Sequence, residues 1–184
     1  MTYEIDIAGL KRQLPLCRLT DDLYIGAFVL FGDVELTVHC AAELLKRAPE
    51  YDYMIAPEAK AIPLIYEMAR QSGVEKYFIA RKKAKAYMTG IHQVEVNSIT
   101  TAGTQTLILD SVDAEAIKGK RILIVDDAIS TGESVRAVEE LVKSCGGIVA
   151  GRMTPLAEGD AAARTDIIYL APLPLFNADG TPKA

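Results

Sequence analysis

Apolar and polar positions follow two rhythms along this chain. At residues 35–47, Leu36, Val38, Ala41, Leu44 and Leu45 recur at helical spacing and predict an amphipathic helix. Residues 62–70 predict a second helix, with Pro63 tolerated in its first turn. Residues 133–145 predict a third, with Val135, Val138, Leu141 and Val142 inward and Gly146-Gly147 closing it. Short apolar runs at 52–56, 76–80, 122–125, 148–153 and 166–170 suit buried strands. Residues 94–99 alternate instead, and 104–110 read as their hairpin partner across Ala102-Gly103. Residues 113–120 read as a polar connector. Strand–helix alternation from 52 to 170 predicts an α/β fold, a mostly parallel sheet flanked by helices. Ligands of such sheets bind beyond the carboxyl ends of the strands. Glu58, Arg81 and Asp126 each follow a strand immediately, so three loops are expected to converge on one crevice.

Composition narrows the class. A chain of 184 residues is read as one domain, 1–184, large enough for a real core. Half of it is hydrophobic and 24% is charged, as in globular proteins. A net charge of −5 without a basic arm or stripe argues against nucleic acid as a partner. No apolar run approaches the ~20 residues of a membrane span. The first dozen residues carry charges and lack the apolar core of a signal peptide. Cys17, Cys40 and Cys145 are scattered and form no C-x-x-C, which points to reduced thiols and a cytoplasmic location. His39 and His92 form no metal-ligand spacing.

The densest chemistry lies at residues 121–134. Ile122 to Val125 is an apolar run, Asp126 and Asp127 stand at its end, and Ser130, Thr131 and Gly132 precede a helix starting at Glu133. A turn bearing hydroxyls and glycine, followed by a helix N-terminus, favours an anion such as phosphate. Ser130, Thr131 and Ser134 add O–H donors. Adjacent buried carboxylates repel one another, so the site must also hold donors or positive charge. A sugar diol or a hydrated divalent cation serves, since both suit oxygen ligands. A 5-phosphorylated ribose satisfies both halves of the motif.

Simpler readings were weighed against this one. An ordinary strand end followed by a Ser-Thr-Gly N-cap explains the hydroxyls but not the paired acids. A response-regulator receiver also carries paired acids, but it needs an acceptor Asp and a Lys on later strands. Too few residues follow Asp127 for that. Neither G-x-x-x-x-G-K-[ST] nor G-x-G-x-x-G occurs.

The series strand-Asp-Asp-x-x-x-Thr-Gly resembles the phosphoribosyl-pyrophosphate (PRPP) motif of the type I phosphoribosyltransferases. Pro57-Glu58-Ala59-Lys60 resembles the pyrophosphate loop of their adenine branch, where Glu-Ala-Arg-Gly is usual. Lys60 stands for that Arg, keeping the charge without its fork, and Ala61 stands for the Gly. Arg81-Lys82-Lys83-Ala84-Lys85 is the main basic cluster and resembles an Arg-Lys-x-x-Lys that reaches PRPP in the same branch. One cation about 4 Å from a phosphate charge is worth roughly 4 kcal/mol at an effective dielectric near 20.

The resemblance implies transfer of the 5-phosphoribosyl group of PRPP to a purine, adenine first. Hypoxanthine, guanine or xanthine as the base, or a PRPP sensor without efficient catalysis, are the alternatives. Asp126 and Asp127 are then the catalytic pair under the ribose. Ala128, Ile129, Ser130, Thr131, Gly132, Glu133 and Ser134 join them in binding PRPP. Glu58, Ala59, Lys60, Arg81, Lys82 and Lys85 bind pyrophosphate, with a strained peptide implied at Glu58-Ala59. Mg²⁺ is implied, held mainly through PRPP and water near Asp126 and Asp127. A hood of residues 1–35 and a mobile loop 82–110 are implied, as is a homodimer. The branch carries a Glu-Tyr-Gly in that loop, whose Glu assists proton movement. Here Thr101-Ala102-Gly103 stands in its place, which leaves proton transfer unassigned. Phe28 and Phe31 are the candidate faces for the base, and both also suit the core. Residues 171–176 resemble the closing segments of the purine enzymes.

Overall fold

A computed structural model describes residues 1–97 and 104–183. Strands β1 (Thr2–Ile7), β2 (Leu10–Arg18) and β3 (Tyr24–Gly26) form a three-stranded antiparallel sheet in that order. Next come α1 (Val34–Leu45), β4 (Tyr53–Pro57), α2 (Ile62–Ser72) and β5 (Tyr77–Ala80). The hairpin strands β6 (Ile91–Asn97) and β7 (Thr104–Asp110) lead into α3 (Ser111–Ile117). Then follow β8 (Arg121–Val125), β9 (Ala128–Ile129), α4 (Glu133–Ser144), β10 (Ile148–Glu158), a 3₁₀ turn at Gly159–Ala163, and β11 (Ile168–Leu173).

The central sheet runs β11-β10-β8-β4-β5, with the short β9 added against β10. Every strand pair in it is parallel. β8 lies at its middle, and Ile122, Leu123, Ile124 and Val125 are all fully buried. That burial on both faces is why the strand reads as a continuous apolar run rather than an alternation. One face packs on Leu36, Cys40 and Leu44 of α1, Leu64, Ile65 and Met68 of α2, and Ile5, Ile7 and Leu14 of the N-terminal sheet. The other packs on Ala114 and Ile117 of α3 and on Val135, Val138, Leu141 and Val142 of α4.

Three expectations need correction. Residues 113–120 are not a connector: Asp110 caps α3 by accepting from the Val112 N–H at 3.0 Å, and Ala114 and Ile117 are buried. The strand expected to end at Met153 runs on to Glu158 despite Pro155, and the last strand ends at Leu173 rather than 170. The antiparallel strands of residues 2–26 were not foreseen at all. The hairpin turn expected at Ala102-Gly103 lies outside the described residues.

Candidate active site

β4, β5 and β8 are adjacent and parallel, so the loops leaving their carboxyl ends emerge side by side. Between them lies a cavity of about 260 Å³, lined by Pro57, Glu58, Ala59, Lys60, Lys82, Leu107, Asp126, Asp127, Ala128 and Ser134. It adjoins a smaller one of about 120 Å³, walled by Asp126 and residues 128–135. The convergence expected from three strand ends is therefore present in space.

Asp126 and Asp127 are each 6% exposed. The Asp126 N–H donates to the Met153 carbonyl, which fixes the end of β8 to β10, and an Asp126 carboxylate oxygen accepts the Asp127 N–H at 2.9 Å. Burial, and then the charge of Asp127, raise the Asp126 carboxyl well above the ordinary range. Asp127 Oδ2 is buried and has no hydrogen-bond partner among the described residues. The Lys60 ammonium lies 3.8 Å from it, too far for a hydrogen bond but close enough to attract it. Unsatisfied buried oxygens are rare and costly, and here the residue that carries the oxygen lines a cavity. A hard cation suits such a donor. No group of three or more His, Cys, Asp or Glu among the described residues makes a metal cage. The residues thus fit a Mg²⁺ that draws most of its ligands from a substrate and water.

After β9 the chain turns through Gly132 into α4. Gly132 has φ +79°, which favours glycine, and a Cβ there would strike the Arg164 guanidinium. Arg164 itself is anchored by Asp166 at 2.9 and 2.7 Å. The α4 N-terminus has no side-chain cap at Gly132, and Thr131 Oγ1 makes only a long 3.4 Å contact with the Glu133 N–H. An ordinary N-cap is therefore not what Ser130 and Thr131 provide. Ser130 and Thr131 line the smaller cavity together with the first residues of the helix, a setting that suits an anion.

On the other side, the Glu58-Ala59 peptide is cis, in the loop where an unusual peptide was expected. Glu58 accepts from Lys82 N–H at 3.1 Å and from Arg81 at 3.0 Å. The Lys82 N–H, then the Arg81 and Lys85 charges, outweigh partial burial and hold Glu58 below the usual carboxylate range. Arg81 also donates to the Tyr87 hydroxyl at 2.6 Å, and its backbone bridges Ile108 of β7, which ties the hairpin to the end of β5.

Glu58, Ala59, Lys60, Lys82, Asp126, Asp127, Ala128 and Ser134 thus share the larger cavity, while Ile129, Ser130, Thr131, Gly132 and Glu133 surround the smaller. Arg81 lines neither and is held by Glu58 and Tyr87; Lys85 reaches the site as a charge on Glu58. Phe28 is buried in the core and Phe31 is exposed, and neither lines these cavities. Sequence reasoning missed Leu107, Tyr87, Arg164 and Glu158. A longer reading of β10 would have found Glu158 at its carboxyl end.

The phosphoribosyl transferase domain family matches residues 38–169, well over half of the chain, and the protein belongs to it. An adenine phosphoribosyltransferase of Kosmotoga olearia is 35% identical over 127 residues, covering 65% of this chain and 66% of that one. An orotate phosphoribosyltransferase of Caldanaerobacter subterraneus subsp. tengcongensis is 29% identical over 141 residues, 76% of this chain and 63% of that one. The chain thus spans just under two-thirds of the length of these relatives. The crystal structure of adenine phosphoribosyltransferase from Thermoanaerobacter pseudethanolicus superposes with a TM-score of 0.63 at 27% identity, over 78% of this chain and 84% of that one. No helix among the described residues is long and apolar enough to cross a membrane.

Proposed function

We propose that this protein transfers the 5-phosphoribosyl group of PRPP to a purine, adenine before other bases, releasing pyrophosphate and a nucleoside monophosphate for purine salvage. The observation that carries this is the single cavity shared by Asp126, Asp127, Lys60 and Lys82. It presents a diol- and cation-binding pair opposite two positive charges, with a phosphate cradle alongside. That pattern complements the anionic phosphates and the ribose diol of PRPP.

In this reading Ser130, Thr131, Ser134 and the amides of residues 128–134 hold the 5-phosphate. Asp126 and Asp127 orient the ribose hydroxyls. They also face the positive charge that develops on the sugar as the bond to pyrophosphate breaks, so they favour the transition state over the bound substrate. Lys60, Lys82 and the amides around Ala59 hold the leaving pyrophosphate, supported by Arg81 and Lys85. Mg²⁺, when bound, neutralises pyrophosphate charge beside Asp126 and Asp127. Residues 1–35 and the segment 82–110 act as the hood, which excludes the water that would otherwise hydrolyse PRPP. The working form is a cytoplasmic homodimer.

Incubation with labelled PRPP, Mg²⁺ and adenine, hypoxanthine, guanine, xanthine or orotate tests this. Orotate belongs in the set because an orotate phosphoribosyltransferase is among the relatives. Nucleotide formed from adenine in preference to the others is the expected result. Product from orotate alone would replace the purine. PRPP binding with no product from any base would favour a sensor, the second reading, which the Thr101-Ala102-Gly103 sequence supports.

A further inference from the structure

The order of strands gives the crevice two sides. Relative to β8, the loops carrying Lys60 and Lys82 leave β4 and β5 on one side, and β10 lies on the other. A single displacement at a sugar carbon brings the incoming atom to the face opposite the departing one. With pyrophosphate over the β4 and β5 loops and the ribose over Asp126 and Asp127, the base arrives from the β10 side.

The last residue of β10 is Glu158. β9 pairs with β10 as Ala128 with Leu156 and Ile129 with Ala157, so the continuation of that register sets Ser130 beside Glu158. Alternation along a strand puts Glu158 on the face of Leu156, and pairing across to β11 puts it level with Leu173. Leu156 and Leu173 belong to the core beneath the N-terminal sheet. Glu158 is half-buried; burial raises its pKa, while the Ser130 hydroxyl and the Lys60 charge oppose that rise. Both neighbours belong to the loops that form the site. Gly159, the next residue, already lines a cavity of about 470 Å³ with walls that include Tyr3, Leu173, Pro174 and Leu175. Asp160 and Lys183 add polar groups to those walls, and the mixture suits a planar heterocycle that carries hydrogen-bonding atoms.

The other carboxylates near the crevice have different positions: Asp126 and Asp127 lie under the ribose, Glu58 is bonded to Arg81 and to the Lys82 N–H, Glu133 lines the smaller cavity, and Asp160 is exposed on the outer wall of the 470 Å³ cavity. We propose that Glu158 is a catalytic residue that accepts the ring N–H proton of the incoming base. The assignment rests on the transferase reading above. The ring nitrogen bonds to C1 of the ribose. The bond from C1 to the pyrophosphate oxygen breaks, and its electron pair leaves with pyrophosphate. The ring proton passes to the Glu158 carboxylate. Partial burial makes Glu158 a stronger base than a free carboxylate.

Glu158→Gln keeps the shape of the side chain but cannot take the proton. The expected result is a fall of about 100-fold in kcat, the lower end for loss of a general base, with PRPP affinity by calorimetry unchanged. Glu158→Ala is expected to lose as much and to regain part of its turnover with added formate. A Glu158→Gln enzyme with wild-type turnover overturns the assignment and leaves the transferase reading intact. So does PRPP affinity that falls in step with turnover, which would make Glu158 a prop for the Ser130 loop. A wild-type protein that binds PRPP but turns over none of the bases overturns the transferase reading, and this assignment with it.

Discussion

The two sides of the crevice are built on opposite physics. The β8 side uses two adjacent buried carboxylates, with one oxygen left unpartnered among the described residues. It has backbone amides and hydroxyls for the anion, and no cation occurs among residues 126–134. The β4–β5 side uses cations nearer the solvent: the Lys60 side chain is 60% exposed, while Arg81 is held by Glu58 and Tyr87. Rigid, desolvated groups are suited to recognise a transition state, because they need little reorganisation as charge develops. Exposed cations attract the ligand from a distance and are screened by salt. On the transferase reading proposed above, chemistry falls to one side and capture to the other.

The sharpest test of that division is Asp126→Asn with Asp127→Asn. Turnover should fall by at least roughly 10³-fold, on the scale of lost electrostatic stabilisation. Far-UV circular dichroism should be unchanged, since the amide can still accept the Asp127 N–H bond. Retained turnover would remove the role given to this pair. Gly132→Ala should come next. It places a Cβ at a positive φ and against Arg164, and PRPP affinity should drop by about tenfold or more. An unaffected affinity would show that the phosphate lies elsewhere.

Lys60→Ala should weaken PRPP binding by about tenfold, because water and salt screen an exposed ammonium far below the full Coulomb value, and should flatten the salt dependence of the titration. Equal salt dependence in variant and wild type would sink the capture role. Thr131→Ala, which removes one hydroxyl among many donors, should cost only about fivefold. The smallest effect is on stability against pH. Asp126 has its carboxyl raised by burial, so its contribution is complete below the usual 3.8 and is lost as pH rises through the raised value. Glu58 has a lowered pKa and does the reverse, contributing above the usual 4.5 and losing that contribution as pH falls through the lowered value. Asp126→Asn should therefore raise Tm by about 2–4 °C at pH 8 and by less at pH 5. A gain equal at both pH values would show that Asp126 carries no buried charge in the folded protein.

Much of the β8 side was legible in the chain. Ile122 to Val125 announces a buried strand, and Asp-Asp followed by Ser-Thr-Gly announces its ligand, because all the groups sit within nine residues of one loop. Helices α1, α2 and α4 were legible from their apolar stripes. Helix α3 was not: its seven residues are too short for a period to emerge, and its stability comes from Ala114 and Ile117 packing on the sheet. The strands at residues 2–26 were hidden for a related reason. Their faces are partly exposed, and β1 is fixed by β2 and by the core beneath it rather than by a strong local pattern.

The order of residues alone therefore determined the parallel α/β scaffold, the paired acids and the hydroxyl-bearing glycine turn, because each is a local pattern of side chains on one element. Only the tertiary structure decided which strands are neighbours. That order leaves Asp127 Oδ2 without a hydrogen-bond partner among the described residues, sets Lys60 across from it, holds Arg81 on Glu58 and Tyr87, and brings Glu158 beside Ser130. These relations depend on sheet order and on the depth of burial, and neither is written in the spacing of residues along the chain.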